Sequence, residues 1–71
     1  MTNSVLLKEI VKESGLKKSF IAERMGVSYS SYMRKESGKS PFYADELSVL
    51  WDLLRLSSQE VNEIFFAESN Y

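Results

Sequence analysis

The side chains with which this 71-residue sequence could do chemistry are hydroxyls, amines, guanidinium groups and carboxylates, because it contains no cysteine and no histidine. Without cysteine there are no disulfides and no thiolate metal sites, and without histidine the commonest metal ligand and general base is missing. An enzyme of this composition would depend on converging carboxylates and lysines, which a chain this short has little room to assemble. We therefore expect no catalysis, no cofactor and no metal.

The charged side chains are divided unevenly along the chain. Residues 1–40 carry eight of the nine Lys and Arg residues and four of the ten acidic ones, whereas residues 41–71 carry one basic residue and six acidic ones. Such a dipolar molecule can present its basic end to phosphate groups and its acidic end to another protein. Both halves can also be plain solvated surface, so composition alone leaves these interpretations open.

Two short helical patterns, at about 17–25 and about 28–36, are separated by a turn, and this spacing is what a helix-turn-helix requires. Gly26 can adopt the positive φ that lets the chain leave the first of these helices. Ser28 is a residue type that caps the next helix by accepting a hydrogen bond from a free backbone N–H. The sequence therefore predicts two helices that meet at a tight, well-defined angle.

Capping residues and apolar spacing predict three further helices, so we expect an all-α domain of five helices without strands. Asn3 or Ser4 can cap the first helix. A fifth helix, at about 58–67, begins with the capping-box pattern of Ser57 and Glu60. The fourth helix has the strongest apolar periodicity, formed by Leu47, Leu50, Trp51 and Leu54, and we expect Trp51 in the core.

The third helix has few apolar side chains with which to pack. Tyr32 is the residue we expect to point inward, because a core cannot hold Arg34 or Lys35 without a partner for the charge. A helix that is mostly exposed and lacks an apolar stripe is typical of contact with a partner molecule. The case for function depends on the segment 28–35 facing outward.

The order and spacing of several short motifs resemble the helix-turn-helix domain of Cro and phage repressors, also called the XRE family. The resemblance covers residues 6–66 of the single domain 1–71 and extends to short members encoded by phages of Gram-positive bacteria. The matching motifs are Gly15-Leu16, Ile21-Ala22-Glu23, Met25-Gly26-Val27-Ser28, Gly38-Lys39-Ser40-Pro41-Phe42 and Glu60-Val61-Asn62-Glu63-Ile64-Phe65-Phe66.

This resemblance implies a compact, lambda-repressor-like fold whose third helix enters the major groove of double-stranded DNA. By position, the residues that would face the bases are Tyr29, Ser30, Ser31, Met33 and Arg34. Those that would lie near phosphates are Lys17, Lys18, Ser28 and Lys39. The implied function is that of a phage-type transcriptional regulator, which represses a promoter in the switch between lysis and lysogeny.

The chain also departs from the family pattern. Lys17 and Lys18 stand where the family commonly has Ser or Thr followed by Gln, so a helix cap is lost and charge is gained. The predicted reading surface lacks Gln and Asn and has a single arginine, Arg34, for a bidentate pair with guanine. Arg34 has a second interpretation, as a surface ion pair with Glu36 or with an acidic residue elsewhere, and the two lysines can simply be solvated.

The acidic, aromatic second half of the chain suggests an alternative function of a different class. Its fourth helix has more apolar width than one packing face needs, and aromatic side chains at the end of a small domain are hard to bury together. The residues expected at a protein interface are Trp51, Glu63, Phe65 and Phe66. Their partner would be a second copy in a homodimer, or a phage repressor that this chain modulates as an antirepressor.

The hydropathy of the sequence bears on its location. It has no run of about 18 apolar residues, and its first residues do not combine a basic segment with an apolar stretch. We therefore expect neither a membrane span nor a signal peptide, and we expect the protein in the cytoplasm of a bacterial host.

Overall fold

Five helices follow one another in the computed structural model, which describes residues 2–66. They are α1 (Ser4–Ser14), α2 (Lys18–Met25), α3 (Tyr29–Glu36), α4 (Ala44–Leu54) and α5 (Ser58–Val61), and α5 continues as a π-helical segment over Asn62–Phe66. No strand occurs among the described residues. The all-α expectation is confirmed, whereas the fifth helix is α-helical for one turn only, and residue 67 of its predicted range lies outside the described part.

Local capping fixes where these helices begin. The side-chain oxygen of Asn3 accepts a hydrogen bond from the backbone N–H of Leu6 at 3.1 Å, which starts α1. At the head of α5, Ser57 Oγ accepts from the N–H of Glu60 at 3.0 Å, and the Glu60 carboxylate accepts from the N–H of Ser57 at 2.9 Å. This reciprocal pair is the capping box that the sequence predicts.

The core lies where α1, α2, α3, α4 and the π-helical segment meet. Its buried side chains are Leu7, Val11, Ile21, Ala22, Met25, Tyr32, Leu50, Leu56, Val61 and Ile64. The backbone N–H of Asn3 donates to the carbonyl of Ile64, which joins the two ends of the described chain. The radius of gyration is 11.3 Å, close to the value of about 11 Å expected for a compact domain of this length.

Trp51 corrects an expectation from the sequence. Its side chain is 41% exposed, whereas Leu50, its neighbour on α4, is fully buried. Successive helical residues point about 100° apart, and α4 is oriented so that Leu50 rather than Trp51 points into the core. Leu50 occupies the inner face of the helix, and Trp51 lies towards the solvent.

The end of α4 provides a test of backbone strain. Arg55 has φ 53° and ψ 47°, a left-handed conformation that costs a residue with a side chain about 1 kcal/mol. We expect Arg55→Gly to raise the free energy of unfolding by about 0.5 kcal/mol in urea denaturation. Gly15→Ala is the matched control, with the opposite sign expected, because φ is 75° at Gly15 and an added Cβ would meet no neighbour. A loss of stability in Arg55→Gly would contradict this account.

Candidate nucleic-acid interface

A turn of three residues joins α2 to α3. Gly26 ends α2 with φ 76° and ψ 25°, in the left-handed region that glycine adopts without a Cβ clash. The next backbone N–H, that of Val27, donates to the carbonyl of Ala22 at 3.0 Å, so the chain folds back on the last turn of α2. Ser28 then begins α3. The left-handed turn predicted at Gly26 and the N-cap predicted at Ser28 are both present.

Ser28 is the cap of α3, and its removal has a defined cost. Its Oγ accepts a hydrogen bond from the N–H of Ser31 at 3.1 Å. We expect Ser28→Ala to lower the free energy of unfolding by about 1 kcal/mol, because that N–H loses its acceptor. Ser19→Ala is the control, since Ser19 is exposed on α2 and its hydroxyl caps no helix. Equal stability of the two variants, measured by chemical denaturation, would show that the cap does not contribute to the free energy of unfolding.

The inner face of α3 buries more than Tyr32. Tyr32 and Glu36 have no solvent exposure, and Lys35 retains 7%. The expectation that α3 is exposed apart from Tyr32, with Lys35 facing outward, is therefore wrong. Both charged residues are buried because each has a partner of opposite charge on another helix, which offsets the cost of removing the charge from water.

Glu36 holds α2 and α3 together. Its Oε1 accepts a hydrogen bond from Lys18 Nζ at 2.9 Å, and its Oε2 accepts one from the Tyr32 hydroxyl at 2.9 Å. Burial, followed by the nearby negative charge of Glu36, raises the pKa of Tyr32 far above its usual value, so Tyr32 stays protonated and donates. Glu36 is therefore bonded to Lys18 and Tyr32, and the ion pair with Glu36 that was one alternative for Arg34 does not form.

Lys35 fixes the other end of α3 against the start of α4. Lys35 Nζ donates to the carbonyl of Pro41 at 2.9 Å and lies 3.1 Å from Glu46 Oε1. The same carboxylate oxygen accepts a hydrogen bond from the backbone N–H of Tyr43, the N-cap residue of α4. The Tyr43 ring lies against the ammonium group, 4.6 Å from Nζ to the ring centroid. Sequence reasoning missed both Lys35 and Glu46, since nothing local pairs residues eleven positions apart.

The outer face of α3 is polar. Tyr29 is 54% exposed, and Ser30 and Arg34 are exposed as well. Ser31 is half-buried, and Met33 is half-buried because it packs against the core. Of the five residues predicted to face DNA bases, three are therefore exposed: Tyr29, Ser30 and Arg34.

The predicted phosphate contacts are distributed over two helix ends. Lys17 precedes α2 and Lys39 follows α3, and both are exposed. Lys18 Nζ is held by Glu36, so Lys17 carries the charge available at the start of α2. Arg24, on the exposed face of α2, lies over the Phe20 ring at 6.0 Å, a basic group that the sequence reasoning did not single out.

The residues predicted for a protein interface do not share one environment. Trp51, Glu63 and Phe66 are exposed, whereas Phe65 is half-buried and packs edge-on against Phe42, with ring centroids 5.3 Å apart. Phe65 therefore contributes to the core as well as to the surface.

Comparison with known proteins gave no further guide to this surface. No family model, no curated protein and no solved structure matches the chain. Among residues 2–66, no helix has the length and apolar character needed to cross a bilayer.

Proposed function

We propose that this chain is a DNA-binding transcriptional regulator of phage type, in which α2, the turn and α3 act as a helix-turn-helix. In this proposal α3 enters the major groove of an operator and α2 lies across the backbone. Bound there, the domain occludes a promoter and represses it. The observation that carries the proposal is the division of α3 into a buried inner face and an exposed polar outer face.

The inner face supports the proposal because it fixes α3 in place. A helix that reads bases has to keep its side chains in register with base edges, and free rotation would blur that register. The ion pairs of Lys35 and Glu36 hold α3 to α4 and α2, respectively. Rigid attachment on one side and polar exposure on the other are what a recognition helix requires.

The outer face also indicates which base contacts to expect. The guanidinium group of Arg34 can donate two hydrogen bonds to the O6 and N7 atoms of a guanine. The exposed Tyr29 ring can contact a thymine methyl group or reach a phosphate, and the Ser30 hydroxyl can bond to several bases. We therefore expect a short recognition sequence in which one guanine position dominates.

A selection from duplexes of random sequence tests the proposal directly. At roughly 50 mM salt we expect the protein to enrich a motif with one strongly preferred guanine. Arg34→Ala should lose the preference at that position, a change worth about 1–3 kcal/mol. Lys12→Ala, which removes an exposed charge from α1, should leave the motif unchanged. Absence of any DNA binding at this salt concentration would refute the proposal.

A further inference from the structure

The segment between α3 and α4, residues 37–43, is called here the α3–α4 loop, and its first half is bonded to the last turn of α3. The carbonyl oxygen of Arg34 accepts hydrogen bonds from the backbone N–H of Lys39 at 2.9 Å and from that of Ser40 at 3.2 Å. The Ser37 hydroxyl donates to the same oxygen at 3.1 Å. A residue proposed to read a base, Arg34, is therefore joined through its backbone to one proposed to meet a phosphate, Lys39.

Lys35 fixes the second half of the α3–α4 loop. Its Nζ donates to the carbonyl of Pro41 at 2.9 Å and lies 3.1 Å from Glu46 Oε1, which also accepts the N–H of Tyr43. The side chains of Lys35 and Glu46 are only 8% and 9% exposed. A buried ammonium group thus connects α3 to the loop and to the first turn of α4.

Stability by itself is a poor reason for this buried ion pair. Replacing such a pair by apolar side chains of similar volume is often neutral or stabilising, because two charges no longer have to leave water. What apolar side chains cannot do is donate a hydrogen bond to the carbonyl of Pro41. The contact that only Lys35 supplies is the one that holds the loop in a single conformation.

A loop that is ordered before binding saves the entropy that a partner would otherwise have to remove. Lys39 is exposed on this loop. We propose that Lys35, together with Glu46, is a positioning residue for DNA binding, which holds Lys39 where it meets a phosphate while Arg34 reads its base. This inference rests on the proposed function. Lys35 is buried and acts through the loop, without touching DNA.

The test is a double-mutant cycle on DNA affinity, measured by fluorescence anisotropy at roughly 50 mM salt. Lys35→Met alone would leave the Glu46 carboxylate buried without its partner. The probe variant is therefore Lys35→Met with Glu46→Leu, which keeps the net charge and should retain the helical circular dichroism spectrum. It is measured with and without Lys39→Ala. We expect Lys39→Ala alone to weaken binding about 15-fold, the counterion contribution of one phosphate contact relative to roughly 1 M salt.

The two changes should not be additive. With Lys39 present, the probe variant should weaken binding by roughly 5- to 15-fold. The lower figure is the cost of ordering about one residue on binding, and the upper one is loss of the Lys39 contact. With Lys39→Ala, the same variant should change the affinity by less than about twofold, because no contact remains to be positioned. A merely structural role would shift the affinity equally in both backgrounds.

The other buried ion pair provides a matched control. The triple variant Lys18→Met, Tyr32→Phe and Glu36→Leu also keeps the net charge, and the bonds that it removes join α2 to α3 or lie within α3. It should change the affinity by the same factor with and without Lys39→Ala. Coupling to Lys39 as strong as that of the probe variant would show that any loosening of α3 has this effect, which would contradict a specific role for Lys35.

The order of the α3–α4 loop can also be measured without DNA. Hydrogen exchange of the Lys39 and Ser40 amides should be faster in the probe variant than in the wild type, whereas exchange of the buried Val11 amide on α1 should not change. Equal exchange at Lys39 and Ser40 in the two proteins, or an additive cycle, would overturn the inference and leave the proposed function standing. Absence of DNA binding by the wild type would refute both, so the two failures can be told apart.

Discussion

Replacing Lys18 with methionine should lower the free energy of unfolding by about 2–3 kcal/mol, measured by urea denaturation. Lys18 Nζ donates a hydrogen bond to Glu36, whose side chain is fully buried, whereas the Lys18 side chain is 34% exposed. Without the amine, the carboxylate would stay buried with the Tyr32 hydroxyl as its one remaining donor. The exposure of Lys18 moderates the loss, which is still large against a total stability of roughly 4–10 kcal/mol for a domain of this size.

Two comparisons isolate the cause of that loss. Lys17→Met removes the adjacent, exposed lysine and should change stability by less than about 0.5 kcal/mol. The triple variant Lys18→Met, Tyr32→Phe and Glu36→Leu replaces the whole network by apolar groups and should recover most of the stability. If Lys18→Met proves as stable as Lys17→Met, the ion pair with Glu36 is not what holds α2 against α3.

DNA binding should weaken by about 12-fold between roughly 50 and 200 mM salt for each chain bound. Lys17 and Lys39 are the two exposed lysines at the ends of α2 and α3. If each neutralises one phosphate, the slope of log K against log salt is about −1.8, because each contact releases condensed counterions. The measurement is a fluorescence-anisotropy titration of the selected duplex at several salt concentrations.

Single lysine variants test which residues are responsible for the slope of log K against log salt. Lys39→Ala and Lys17→Ala should each reduce its magnitude by about 0.9, with a similar loss of affinity on all sequences. Lys8→Ala, on the exposed side of α1, is the control and should leave the slope as it is. A wild-type slope near zero would remove phosphate binding from the proposed mechanism, whatever the sequence preference.

Helix boundaries could be predicted from the sequence because they are set by neighbours along the chain. The cap at Asn3, the left-handed turn at Gly26 and the capping box of Ser57 with Glu60 all involve atoms no more than five residues apart. Their energies depend little on the remainder of the molecule. The all-α class follows from the same local information together with apolar periodicity. The exposed part of the candidate site, Tyr29, Ser30 and Arg34, follows from it as well.

The tertiary structure decided which charged groups are buried. Lys18 and Glu36 are eighteen positions apart, and Lys35 meets Glu46 across the loop between α3 and α4. No local rule pairs such residues, and the default expectation for an isolated lysine or glutamate is exposure. The fold also determined which face of α4 enters the core, which left Trp51 exposed and Leu47 half-buried. The sequence determined the helices and their ends, because capping and apolar periodicity act over a few residues. Only the tertiary structure decided which charged groups are buried, because the cost of removing a charge from water is offset only by partners that folding brings together.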